Sequence, residues 1–286
     1  MNTPIEDTLT YVYAAAPLTT QVRDALADLR GIYGSPVLFV TTAAPTYANL
    51  PAPLAFAASH VPCGDFNESA LKTHFEDIVW LENVARAHHN VVQALTELTT
   101  VLPLRMATVY QDDDRARRAL ADRHDSFAER ITQLAAHTEF GVKMYLVPAT
   151  PPAEAEPAAD TTTDAATTPG KAYLRRRRAQ HTEAEARYGH AEEAAAAIEA
   201  VASRYASQRV RHPSQSGALT GPAENVLNDA YLVSDEHARQ FKAAIEQAAT
   251  SFDSVRIEVT GPWAPYSFAM PPDEREQQPQ GEGHNP

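Results

Sequence analysis

The order of apolar and polar positions along the chain reads as an alternation of strands and helices. Residues 8–14 (TLTYVYA) are β-branched and aromatic, which predicts a strand. Thr19 or Thr20 can cap a helix to about Leu29, with Val22, Leu26 and Leu29 on one face and Gly31 ending it. The continuous apolar run PVLFVTT at 36–42 predicts a buried strand, and 55–61 predicts a weaker one. Asn67 caps a predicted helix to about Leu98, with Leu71, Phe75, Ile78, Val79, Val92 and Leu95 at helical spacing. Residues 101–109 (VLPLRMATV) predict a strand whose Pro103 marks an edge or a bulge. Strand, helix, strand, strand, helix, strand is the split βαβ, or ferredoxin-like, order.

The second half repeats that order. A helix over 113–136, with Phe127, Ile131 and Leu134 on one face, links the halves. In 139–147 the residues Phe140, Val142, Met144 and Leu146 alternate with Gly141, Lys143 and Tyr145, which is the period of a strand. There follow a long Ala-rich helix over 170–207, a short strand at 209–213 and a better one at 226–233. A helix from Ser234 or Asp235 to Ala249 and a closing strand at 255–260 complete the set. The fold class expected is α+β: two ferredoxin-like (split βαβ) domains, 1–110 and 111–270, joined by a helix.

Two segments break the pattern. Residues 148–169 are almost all Pro, Ala, Thr and acid, and 271–286 form an equally polar tail, so both are expected to be disordered. The insertion holds four acids and no base, and the tail holds four acids against Arg275. Seven of the thirteen net negative charges therefore lie there, where they act as a solubilising feature. Otherwise the composition of the 286 residues is ordinary, with 44% hydrophobic and 21% charged. A net charge of -13 argues against non-specific nucleic-acid binding. No run approaches the roughly 20 apolar residues that cross a bilayer, and no basic start suggests a signal peptide. The single cysteine, Cys63, allows no internal disulfide and fits a cytoplasmic protein.

The candidate chemistry is sparse. His88 and His89 are adjacent, so on a helix they point about 100° apart and cannot share a metal ion. Cys63 reads as a small apolar filler, and Glu76 and Asp77 beside Trp80 as a solvated face. GxGxxG, GxxxxGK[ST] and GxSxG are all missing. No catalytic residue, cofactor or metal is expected. The run Arg175 to Arg178 is a solvated helix turn or a grip on an acidic partner. Arg105, in a strand, must point to water or be paired, for example with a helix carboxylate that would lock the sheet, which makes its expected role structural. The closing TGPWAPYSF at 260–268 turns at Gly261 and Pro262 and then presents Trp263, Tyr266 and Phe268, as core caps or partner anchors.

Eight segments together carry a resemblance. They are YVYA at 11–14, VPCGDFNESAL at 61–71, EDIVWLENVARAHHNVV at 76–92, VLPLRMATVY at 101–110, EFGVKMYL at 139–146, GKAYLRRRRAQ at 170–180, VLNDAYLV at 226–233 and TGPWAPYSF at 260–268. In that order the chain resembles the GvpF/GvpL family of gas vesicle accessory proteins, over essentially everything but the insertion and the tail. The resemblance implies two α+β domains and a non-enzymatic role as an accessory or minor structural protein of gas vesicle formation. It implies contact with the small, hydrophobic major gas vesicle shell protein during nucleation or assembly, and with other gas vesicle accessory proteins. No nucleic acid or lipid membrane partner is implied. The implied location is the cytoplasm and the vesicle, with the gas-facing side of the shell as one place proposed for the family. The motif or partner-facing residues would be Trp80, Arg105, Tyr173, Arg175, Arg176, Asn228, Tyr231, Gly261, Pro262, Trp263 and Tyr266. Ala14-Ala15 stands where a glycine is frequent in the family, and Met106-Ala107 where Phe-Gly is more usual. Exposed strand edges or aromatic anchors could cap aggregation-prone shell subunits. The alternative class is an enzyme or small-ligand-binding ferredoxin-like protein, which needs a pocket with convergent polar groups.

Overall fold

The computed structural model describes residues 7–42, 50–147, 169–214 and 223–270. The chain divides into two compact units, one of residues 1–139 with 262–286 and one of residues 140–261. This differs from the expected boundary at 110, for a reason that lies in the first sheet.

That sheet is built from β1 (Thr8–Pro17), β2 (Leu38–Thr41), β3 (Leu54–Pro62), β4 (Leu102–Pro103) and β5 (Val109–Tyr110). Its order is β2-β3-β1-β4, with β5 also on β1, and every pairing is antiparallel. The helices of the unit are α1 (Thr20–Ala25), α2 (Cys63–Phe66), α3 (Glu68–His74), α4 (Ile78–Thr96), α5 (Asp113–Asp122) and α6 (His124–Leu134). β1 is buried from Thr10 to Pro17, on both faces of the pleat, which is why it reads as one apolar run. On one face Tyr11 and Tyr13 pack with Val84, Val91, Val92 and Leu95 of α4. On the other, Phe56 of β3 meets Phe127 of α6 with ring centroids 5.8 Å apart. The stretch expected to link two halves thus covers the first sheet with Ala116, Leu120, Phe127, Ile131 and Leu134, all buried.

Several predicted elements are interrupted. Asn67 caps α3 as expected, its side chain accepting from the Ala70 N–H at 2.9 Å. The helix does not continue to Leu98, because Asp77 turns extended and accepts from the N–H groups of Val79 (3.0 Å) and Trp80 (3.1 Å), starting α4 afresh. The predicted strand 101–109 is two short strands around a turn in which Ala107 has φ +63°. The predicted helix 113–136 breaks at Arg123.

The remaining elements are β6 (His137–Leu146), α7 (Pro169–Ala202), β7 (Ala206–Arg211), β8 (Asn225–Ser234), α8 (Ala238–Ala249) and β9 (Val255–Trp263). The sheet order is β7-β8-β6-β9, with β7 and β8 antiparallel. Phe140, Val142, Met144 and Leu146 alternate inward as predicted, against Ala194 and Ile198 of α7 and Phe241 and Ile245 of α8. Among the described side chains of α7, none before Ala191 is buried. Ser234 does not cap α8; His237 does, with Ser234 Oγ 2.8 Å from its Nδ1. The expected insertion lies outside the described residues apart from Pro169, which opens α7, and so does the expected tail.

Candidate functional site

The site is built around α4. Its buried stripe is Val84, His88, Val91, Val92 and Leu95, one histidine in an otherwise aliphatic face. The rings of β1 meet that stripe and continue it into an aromatic seam. Tyr11 lies 5.6 Å from Phe66 and 5.8 Å from His88, and Phe66 lies 5.4 Å from Trp80 (centroid distances). His88 lies 6.2 Å from Tyr266, which stacks at 6.3 Å on His89, and His89 meets the edge of Trp263 at 5.4 Å. Trp80, Trp263 and Tyr266, three of the residues singled out in the sequence, are thus joined by one set of rings. All belong to the first unit.

The polar groups inside the seam are ordered. The Tyr11 hydroxyl accepts from the Ala107 N–H at 3.0 Å and shares a 2.9 Å hydrogen bond with His88 Nδ1. His88 Nε2 is buried without a well-formed hydrogen bond. Burial pushes the His88 pKa down from 6.5 to about 4, with the Leu104 backbone offsetting part of that cost. The Tyr13 hydroxyl accepts from the Ile32 N–H at 2.9 Å and bonds Ser59, whose hydroxyl donates to the Pro36 carbonyl at 2.9 Å. Gly31 leaves room for this chain, since a Cβ there would stand 2.0 Å from the Tyr13 hydroxyl oxygen.

The seam reaches the surface at two places. The first is the start of α4. Ile78 is 70% exposed and Val79 64%, with Phe75 and Tyr33 also exposed beside the half-buried Trp80. His74 stacks on Trp80 at 4.7 Å, and the Trp80 indole N–H donates to the Tyr33 hydroxyl at 2.8 Å. Tyr33 is held in the left-handed region at φ +54°, a strained conformation for a ring-bearing residue. Of these side chains, Phe75, Ile78 and Val79 were expected on the apolar face of the helix and are instead exposed.

The second place is a cavity of about 270 Å³ lined by His89, Glu139, Trp263 and Tyr266. Trp263 is 39% exposed, whereas the Tyr266 hydroxyl is buried and makes no hydrogen bond among the described residues. Glu139 is buried, and its carboxylate accepts from the Ser267 N–H at 2.8 Å and the Ser267 hydroxyl at 2.7 Å. Burial raises its pKa, and the Ser267 contacts oppose that rise.

The other singled-out residues are not brought to this seam. Arg105 is exposed in the turn before β5, the water-facing one of the two arrangements expected for it. Arg175 is exposed on α7, and the side chains of Tyr173 and Arg176 lie outside the described set. Asn228 donates to the Pro213 carbonyl at 3.0 Å and so ties down the exit of β7. Tyr231 is core, its hydroxyl 3.3 Å from the buried Asp229. Gly261 has φ +115°, which suits a glycine at the end of β9, and Pro262 beyond it is exposed. Glu139 was not singled out in the sequence, because a polar residue opening a strand carries no signal of a partner more than a hundred residues away. Among the described residues no group of three or more His, Cys, Asp or Glu is placed to hold a metal ion. No described helix is long and apolar enough to cross a membrane.

Two α+β units with antiparallel sheets, rich in rings and lacking an assembled metal centre among the described residues, define a class before they define a family. The family follows from comparison. The model of the family described as gas vesicle synthesis protein GvpL/GvpF matches residues 9–270, and the chain belongs to that family. It is 42% identical over 211 residues to gas vesicle protein L of Streptomyces sp. strain CB03234, covering 73% of this chain and 77% of that one. Its fold is similar to the crystal structure of GvpF from Anabaena sp. PCC7120, with TM-score 0.58 and 17% identity, over 92% of this chain and 97% of that one. GvpF from Microcystis aeruginosa is similar at TM-score 0.56 and 17% identity, over 92% and 99%. The protein's role accordingly lies in gas vesicle formation.

Proposed function

We propose that this protein acts in gas vesicle formation as a non-enzymatic accessory factor that binds the hydrophobic major shell protein during nucleation or assembly. One observation carries the reading: the patch of Tyr33, Phe75, Ile78 and Val79 around Trp80 leaves large apolar side chains in water at the end of a well-packed helix. Scattered exposed apolar residues need no explanation, but four of them gathered at one helix start, with Tyr33 and Phe75 against Trp80, favour an interaction surface. Shell subunits are apolar before they assemble, and a rigid apolar surface on an acidic, soluble carrier suits them. Glu76 and Asp77 are exposed beside the patch and favour a partner whose apolar face carries flanking bases. The ferredoxin-like description belongs to the same proposal; in both sheets the first strand lies between the third and the fourth. Other gas vesicle proteins are the partners that family membership favours.

Co-expression with the shell protein tests the reading. Shell protein should co-elute with the native chain and be lost with the double variant Ile78→Asp, Val79→Asp, whose thermal midpoint should be unchanged because both sites are exposed. Equal recovery with native and variant chains would overturn it.

A further inference from the structure

The cavity at the other end of the seam holds a buried acid. Glu139 is 8% exposed, and among the described residues both partners of its carboxylate are on Ser267, its N–H and its hydroxyl, with no ion pair. Two hydrogen bonds from Ser267 satisfy part of the charge, one to each oxygen. A buried carboxylate is ordinarily paired as well as hydrogen-bonded, because desolvation of the ion otherwise goes uncompensated. Around it the cavity offers three rings, His89, Trp263 and Tyr266, with about 270 Å³ of space. The Tyr266 hydroxyl is a further buried acceptor without a partner among the described residues.

Rings that present π-electron density, a carboxylate behind them and an unused hydroxyl make a receptor for an organic cation. A water-filled cavity would satisfy the hydroxyl but leave the charge and the rings unexplained, and an apolar ligand would leave the carboxylate unpaired. We infer that this cavity binds the basic side chain of a protein partner, arginine or lysine, with the alkyl stem against Trp263 and the charged head toward Glu139 and Tyr266. The volume suits one side chain and excludes a folded segment. Arginine has the better match, since its planar head can stack on a ring while donating to two acceptors. The site is separate from the patch at Ile78 and Val79, and the inference does not rest on that patch binding shell protein.

Its test uses the full chain and small probes. Trp80 and Trp263 are the two tryptophans, so the indole N–H resonances of a ¹⁵N-labelled sample give one reporter in the cavity and one internal control. The probes are N-acetyl-arginine methylamide, its lysine counterpart and the neutral citrulline counterpart. The expected result is a saturable shift of Trp263 with the arginine or lysine probe, none with citrulline, and no shift of Trp80. Glu139→Gln keeps an acceptor for Ser267 and should weaken the response by about tenfold or more, with the Trp80 resonance in place. A citrulline response equal to that of arginine, an undiminished response in Glu139→Gln, or no saturable shift at Trp263 would each overturn the inference.

Discussion

The two units differ in how they handle polar groups in their interiors. In the second, Asp229 is fully buried and fully compensated. Arg211 grips it with Nε at 3.0 Å and a second nitrogen at 3.2 Å, Arg209 lies 3.8 Å away, and Glu199 balances both arginines. Those contacts pin edge strand β7 to β8. In the first, His88 is kept neutral under rings, Glu139 has no ion pair among the described residues, and Ile78 and Val79 stand in water. The exposed large apolar residues described in the second unit are Val147, just past β6, and Leu174 and Tyr188, spaced along α7, and the Tyr188 hydroxyl donates to Glu224 at 2.7 Å. Among the described residues the buried acid Asp229 of the second unit is paired within that unit, while the first unit keeps a buried acid with no ion pair and large apolar side chains at its surface.

Trp263 ends β9 of the second sheet, whereas Trp80 lies within the first unit, so in a Trp263→Phe background the tryptophan fluorescence reports the first unit and the contrast can be broken from either side. The largest effect is expected from Asp229→Ala, which removes the buried carboxylate under two arginines and should cost about 4 kcal/mol in the second unit. Denaturant unfolding followed by far-UV circular dichroism should show an early transition while the tryptophan transition stays in place. A pH series comes next. His88 titrates at about 4 when folded and about 6.5 when unfolded, so its contribution is intact above pH 6.5. As pH falls from 6.5 toward 4 the unfolded chain takes up the proton first, and about 3 kcal/mol of stability is lost. His88→Gln should flatten that slope in the tryptophan-detected midpoint. Gly31→Ala pushes a Cβ onto the Tyr13 hydroxyl and should destabilise the first unit by about 2 kcal/mol, with far-UV evidence of the second unit retained. The smallest change is a gain: Ala107→Gly relieves a φ of +63° and should stabilise the first unit by about 0.5–1 kcal/mol.

Much of this was legible in the sequence because it rests on local signals. Thr19 and Asn67 cap as read, with Val22 N–H donating to Thr19 at 3.1 Å. The period-two alternation of β6 survives intact. The glycine expected near position 107 has its reason in the left-handed backbone there. What was missed depends on contacts distant in sequence. Periodicity placed Phe75, Ile78 and Val79 on the apolar face of one helix; Asp77 restarts the helix, and the first turn of α4 precedes the buried stripe that begins at Val84. An amphipathic face shows that a helix has something to cover and is silent on which sheet, so α5 and α6 were assigned as a link. Trp263 and Tyr266 were singled out for their rings, yet Glu139, which completes their cavity, sits 124 residues before the nearer of the two.

The central claim is that the partner surface lies on the first unit, at the start of α4. Its most direct measurement places a photo-crosslinking phenylalanine analogue at position 78 and, in a second protein, at position 174, an equally exposed apolar site on α7. Each variant is irradiated in the presence of the major shell protein. A partner surface at the start of α4 gives a covalent adduct with shell protein from position 78 and none from position 174. Adducts from 174 and none from 78 would contradict it.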